Sequence, residues 1–119
     1  MTTRDDLVSK TCIPCKGDIP PLKDWKISEM MNIVTGWKLI TSGPDKIEKS
    51  YKFEDFKESM KFVNEVAELA EKEGHHPDIS IHWNKVTLTL WTHAIDGLHE
   101  NDFIMAAKID DLLDDESSE

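Results

Sequence analysis

Four of the five histidines lie between Glu71 and His93, in the run EKEGHHPDISIHWNKVTLTLWTH. His75 and His76 are adjacent, His82 and His93 follow, and His99 stands just beyond. An imidazole with an ordinary pKa of about 6.5 can both give and take a proton near neutral pH. Two or three gathered at one place therefore suit acid–base chemistry. Three imidazoles can also hold a zinc ion and leave a position open for water. Against the metal, His75 and His76 would point apart on extended backbone, and no HExxH helix or matched carboxylate spacing accompanies them. A third reading makes them surface side chains at a helix end, where imidazolium complements the dipole. Glu71, an acidic charge in what reads as a last helical turn, is unfavourable for that dipole and shifts the balance slightly toward chemistry. An exposed acidic helix face accounts for it as well.

The imidazoles can meet only if the elements between them bring them together. Residues 1–21 show no convincing period, end in Pro20-Pro21 and read as an extended lead-in. From Leu22 to Thr35 the residues Leu22, Trp25, Ile27, Met30, Met31 and Val34 recur near helical spacing, and Gly36 is placed to stop the turn. GWKLITSGPDKIEKSYKF alternates around a turn-forming SGPDK and reads as an antiparallel hairpin.

A long helix is expected from Glu54 to Glu73, with Phe56, Met60, Val63, Ala67 and Ala70 on one stripe and Phe62, Val66 and Leu69 beside it. Gly74 suits a left-handed cap, since it lacks a Cβ. A second hairpin follows. If Asn84-Lys85 is its turn, Trp83 faces Val86, Ile81 faces Leu88 and Ile79 faces Leu90, and continuing outward sets His76 opposite His93. His82 alternates with core positions and reads as solvent-facing. A last helix runs from about Glu100 to Leu113, and the acidic residues 114–119 read as a disordered tail. The order α-β-β-α-β-β-α favours an α+β domain over residues 22–113: a single four-stranded antiparallel sheet with three helices on one face.

Fourteen basic against twenty-four acidic residues give a net charge of −10, which repels phosphate backbones and anionic lipid headgroups. Direct nucleic-acid binding is not expected. No apolar run approaches the roughly 20 residues of a membrane span, and MTTRDDLVSK lacks the apolar core of a secretory signal. The expected home is cytoplasmic. Cys12 and Cys15 form a CxxC that could be a redox pair, half a zinc site or two reduced thiols. No second Cys/His pair completes a zinc site, and the Pro- and Gly-rich CIPCKGDIPPL is not the strand-to-helix turn of a thioredoxin pair. No catalytic role is assigned to it.

EKEGHHPD, the hairpin through WNKVTLTLWTH, GLHENDF, and GWKL before the first hairpin together resemble the pterin-4a-carbinolamine dehydratases. The resemblance covers about Leu22 to Leu113. It implies a hydro-lyase that dehydrates 4a-hydroxytetrahydropterin to quinonoid dihydropterin and so supports pterin recycling for aromatic amino acid hydroxylases. On that pattern His75, His76 and His93 match the active-site histidines, Glu71 their acidic partner, Asp102 the aspartate near the last helix, and Trp37 an aromatic that could pack on the pterin. Asp102 has a structural rival role, capping amides in a first helical turn.

The resemblance further implies no resident cofactor, the pterin being substrate, and a homodimer or homotetramer. Because some animal members also act as dimerisation cofactors for a homeodomain transcription factor, it leaves open a nuclear pool and a binding role, for which the face carrying Phe62, Val66 and Leu69 is the candidate contact. His99 stands where the family often has a Ser or Thr cap, and Ile95 and Asp96 fill a loop that varies among members and could tune substrate contact.

Overall fold

A computed structural model describes residues 3–13, 17 and 19–117. Four helices and four strands follow in order: α1 (Arg4–Ser9), α2 (Asp24–Met31), β1 (Lys38–Ile40), β2 (Lys46–Lys52), α3 (Phe56–Glu73), β3 (Asp78–His82), β4 (Lys85–Leu90) and α4 (Glu100–Ser117). From α2 onward this is the expected α-β-β-α-β-β-α order. The strands make one antiparallel sheet, β1-β2-β4-β3.

Strand alternation divides the sheet into two unlike faces. Ile47, Tyr51, Val86, Leu88 and Leu90 are buried beneath the helices, where they meet Phe62, Val66, Phe103 and Ile109. Each such side chain contributes about 1.5–3 kcal/mol by leaving water. On the opposite face polar pairs span the strands, Ser50 with Thr87 at 2.9 Å and the Thr89 hydroxyl donating to Glu48 at 2.9 Å.

The helices end where the chain chemistry says they should. Asp55 caps α3, its side chain accepting from the Glu58 amide at 2.9 Å. Gly74 takes a left-handed φ of 69° at the other end, and both its amide and that of His75 return to the Ala70 carbonyl. Four details differ from the sequence reading. The lead-in is not simply extended: α1 is closed by a capping box between Thr3 and Asp6 and buries Leu7 completely. Six residues with one buried leucine are too short to show a period. At the other end α4 runs through Ser117, because no Gly or Pro follows Leu113 to stop it.

The second hairpin turns one residue earlier than expected. Its pairs are His82 with Lys85, Ile81 with Val86 and Ile79 with Leu88, so the turn is Trp83-Asn84. Asn84 is claimed by Phe53, the residue after β2, its carbonyl accepting from the Phe53 amide at 2.7 Å and its side chain donating back to the Phe53 carbonyl at 3.2 Å. Trp83 then takes a positive φ of 51° and lies exposed. The face of α3 holding Phe62, Val66 and Leu69 belongs to the core, not to a free contact surface. The exposed apolar edge of α3 is Phe56, with Met60 half-buried and Ala67 exposed.

Among the described residues no helix is long and apolar enough to cross a membrane. Cys15 lies outside the described residues. Cys12 is buried, and burial first and the Glu73 carboxylate second push its thiol up to about 12, leaving it a poor nucleophile.

One polar cluster pins α4 to the sheet at the end near β1. Asp110 accepts from the Trp37 indole at 3.0 Å, the Tyr51 hydroxyl at 2.7 Å and the Lys49 ammonium at 2.9 Å. Asp110→Ala leaves three donors without their acceptor and should lower stability by about 3 kcal/mol in urea denaturation. An unchanged midpoint would show that the cluster holds nothing.

Candidate active site

After the αL turn at Gly74 the two adjacent histidines take partners on different elements. His75 turns toward α4 and His76 folds back on the last turn of α3. There the His76 Nε2 meets the Glu71 carboxylate at 2.5 Å, both side chains being mostly exposed.

His75 is held more deeply. Its Nε2 lies 2.6 Å from Oδ1 of Asp102, a residue with no solvent exposure. The other Asp102 oxygen accepts from the Thr92 hydroxyl at 2.8 Å and from the His99 amide at 3.0 Å. A carboxylate is acceptor-only, so it places the His75 proton on Nε2 and leaves Nδ1 free to exchange one. Asp102 makes both kinds of contact at once: its bond to the His99 amide is the reciprocal half of a helix cap, and its bond to His75 sets the tautomer.

His93 reaches the same place from the sheet. After β4 the chain passes Thr92, makes a 3₁₀ turn over His93–Ile95, and closes by a bridge between Thr92 and Gly97. A Cβ on Gly97 would stand 2.9 Å from the Pro21 side chain, so this closure needs glycine. Within the turn Ile95 is buried, which removes it from substrate contact, while Asp96 takes a positive φ of 50° and stays exposed. The His93 ring packs tilted against Trp91, with 3.8 Å between centroids and 39° between planes.

His75, His76, His93, Thr92 and Asp78 line one cleft of about 430 Å³, within the usual range for a small-molecule site. Glu71 and Asp102 reach it through the histidines they hold. The convergence of His76 and His93 comes from the turn at Gly74 and the 3₁₀ loop rather than from the strand register, which, extended outward, sets Trp91 level with His76. His82 stays on β3, bonded to Ser80 at 3.2 Å. Trp37 does not join the cleft: its ring is 5% exposed and its indole N–H is committed to Asp110. A buried indole of this kind has no free face for a ligand within this subunit. Among the described residues no group of three His, Cys, Asp or Glu is arranged as a metal site.

Several contributors were not singled out from sequence. Thr92 is one, for its serviceable signal, a Thr before a His at a strand end, says nothing of a partner ten residues on. His99 proves to be the cap of α4, its Nδ1 accepting from the Asn101 amide at 3.0 Å where a Ser or Thr oxygen would otherwise serve. Trp91 reads from sequence as a sheet residue. In the fold it also donates to Asp78 at 3.3 Å and carries the Lys46 ammonium 4.6 Å from its ring.

Asp102→Asn keeps the side-chain volume but turns one acceptor into a donor. It should lower stability by about 2 kcal/mol. Nitrogen shifts of the His75 ring should move from a fixed Nε2–H toward a tautomer mixture. Unaltered ring shifts would show that Asp102 does not set the proton.

The family described as pterin 4 alpha carbinolamine dehydratase matches residues 20–112. A Rubrobacter xylanophilus protein named "Putative pterin-4-alpha-carbinolamine dehydratase" is 43% identical over 107 residues, 90% of this chain and 98% of that one. The crystal structure of a transcriptional coactivator/pterin dehydratase from Brucella melitensis superposes with a TM-score of 0.73 at 33% identity, covering 77% of this chain and 97% of that one. A pterin dehydratase-like protein identified as a RuBisCO assembly factor in the alpha-carboxysome matches at a TM-score of 0.56 and 26% identity, over 65% of this chain and 88% of its own. With the family match running from before α2 nearly to the end of the core-packed part of α4, the chain belongs to the pterin 4 alpha carbinolamine dehydratase family.

Proposed function

We propose that this chain is a hydro-lyase that dehydrates 4a-hydroxytetrahydropterin to quinonoid dihydropterin. The observation that carries the reading is the meeting of His75, His76 and His93 in one cleft, with Asp102 fixing the tautomer of the first. The reaction breaks the carbon–oxygen bond at C4a, delivers one proton to the leaving hydroxyl to form water, and removes one proton from a ring nitrogen as the new double bond forms. One proton is given and one is taken, so no net reagent is consumed. Two imidazoles in opposite protonation states match that balance.

His75 and His93 handle these protons. His76, braced by Glu71, positions the pterin. No resident cofactor enters the scheme, and the product feeds recycling of the pterin used by an aromatic amino acid hydroxylase in the cytoplasm.

A symmetric homo-oligomer is part of the proposal. Strand β3 is a sheet edge whose Ile79 and Ile81, with Trp83 in the turn that follows, are 38%, 37% and 64% exposed, apolar area that a second copy would cover. The same exposed strand supports a second reading, a binding role such as that of a dimerisation cofactor for a transcription factor. The words coactivator and assembly factor in the names of the similar structures lend that role support.

The dehydratase assay follows the ultraviolet change as hydroxylase-generated 4a-hydroxypterin decays with and without the protein. His75→Ala and His93→Ala should each lower kcat by about 10²-fold or more with little loss of melting temperature. A chelator should leave the wild-type rate unchanged. Wild-type rates in both variants would refute the assignment, and chelator inhibition would point to a metal.

A further inference from the structure

The histidines come from the stretch that the family match covers, residues 20–112, but one wall of their cleft does not. Ile13 lines it. Its backbone is held on both sides by one side chain: the Asn101 carboxamide donates to the Ile13 carbonyl at 2.7 Å and accepts from the Ile13 amide at 3.1 Å. The residues before it are fastened as firmly. Leu7 is buried in the core, and Lys10 pairs with Glu100 at 3.3 Å. The Cys12 amide donates to the buried Glu73 carboxylate at 2.9 Å, which Lys108 also holds at 3.2 Å. Burial alone would raise the Glu73 carboxyl, but these two donors keep it below its usual range. Farther along, a Cβ on Gly17 would lie 3.1 Å from the Ala94 carbonyl, so Gly17 sits close against the loop that carries His93.

Against this anchoring, Ile13 is 57% exposed. A large aliphatic group has been placed at a fixed point of a cleft whose only other apolar side chains, among the described residues, are those of Pro77 and Ala94, and the fold does not bury it. Asn101, which sets its position, and Asp102, which sets the position of His75, are neighbours in the first turn of α4. One rigid turn therefore fixes the distance between the apolar wall and the proton-exchanging ring.

We propose that Ile13 forms part of the substrate site as a specificity-determining contact, packing its aliphatic side chain against the flat ring of the bound pterin. This rests on the dehydratase reading. Packing of this kind acts on bound substrate and transition state alike, so it appears in KM and not in kcat.

The test uses the full chain carrying Ile13→Ala or Ile13→Asp, with steady-state dehydration and calorimetric titration of 7,8-dihydropterin as a non-reacting probe. Ile13→Ala should raise both KM and the dihydropterin Kd by about 5- to 10-fold, and Ile13→Asp by more, with kcat within about twofold and the melting temperature unchanged. An active wild type whose KM and Kd are untouched in both variants overturns the proposal. So does a fall in kcat and melting temperature at constant KM, which marks a purely structural residue. A wild type that neither dehydrates the substrate nor binds dihydropterin instead removes the reading beneath it.

Discussion

A carboxylate with no access to water and three donors around it organises this molecule. Asp102 joins three stretches that are far apart along the chain: the helix end that presents His75, the strand end at Thr92 and the start of α4 at His99. A buried charge is tolerable only when its lone pairs are met, so each partner is constrained as strongly as the carboxylate. Thr92 immediately precedes His93, and His75 immediately precedes His76. By holding one member of each pair, Asp102 anchors the backbone from which the other two imidazoles project, and Glu71 and Trp91 meet those rings.

The sheet and α3 supply the rigid frame for that arrangement. Packing of Leu88 and Leu90 beneath the helices settles the height of β4, hence the point at which Thr92 leaves the sheet. The left-handed turn at Gly74 settles how α3 hands the chain to His75. The lead-in is tied to the same frame through Glu73 at the end of α3 and Asn101 at the start of α4. Both flank the residues that position the histidines, so the lead-in and the site share supports.

Much of this was legible in the sequence because it is local. Apolar periodicity marks α3, the Gly after it marks the cap, and alternation marks the second hairpin, all signals written within a few residues. The unreadable parts depend on distant partners. The hairpin turn is decided by the bonds of Asn84 to Phe53, 31 residues away, and not by turn propensity. Resemblance placed Trp37 at the substrate, yet its surroundings are set by Asp110, 73 residues on. Glu73 is a charged residue that ends up buried because Lys108 and the Cys12 amide come to it. Helix α1 depends on a single leucine and a capping box, too little pattern to stand out. The histidine cluster itself was found by residue type and the resemblance, while the meeting of His76 and His93 was reached from a register that the fold does not use.

The central claim is that three imidazoles face one bound pterin. Nitrogen NMR of the histidine rings, followed as 7,8-dihydropterin is added to the wild-type protein, tests it most directly. The account predicts that the rings of His75, His76 and His93 shift together and saturate at a single Kd while His82 stays still. Shifts confined to one of the three, or none at His75 and His93 when dihydropterin is bound, would contradict it.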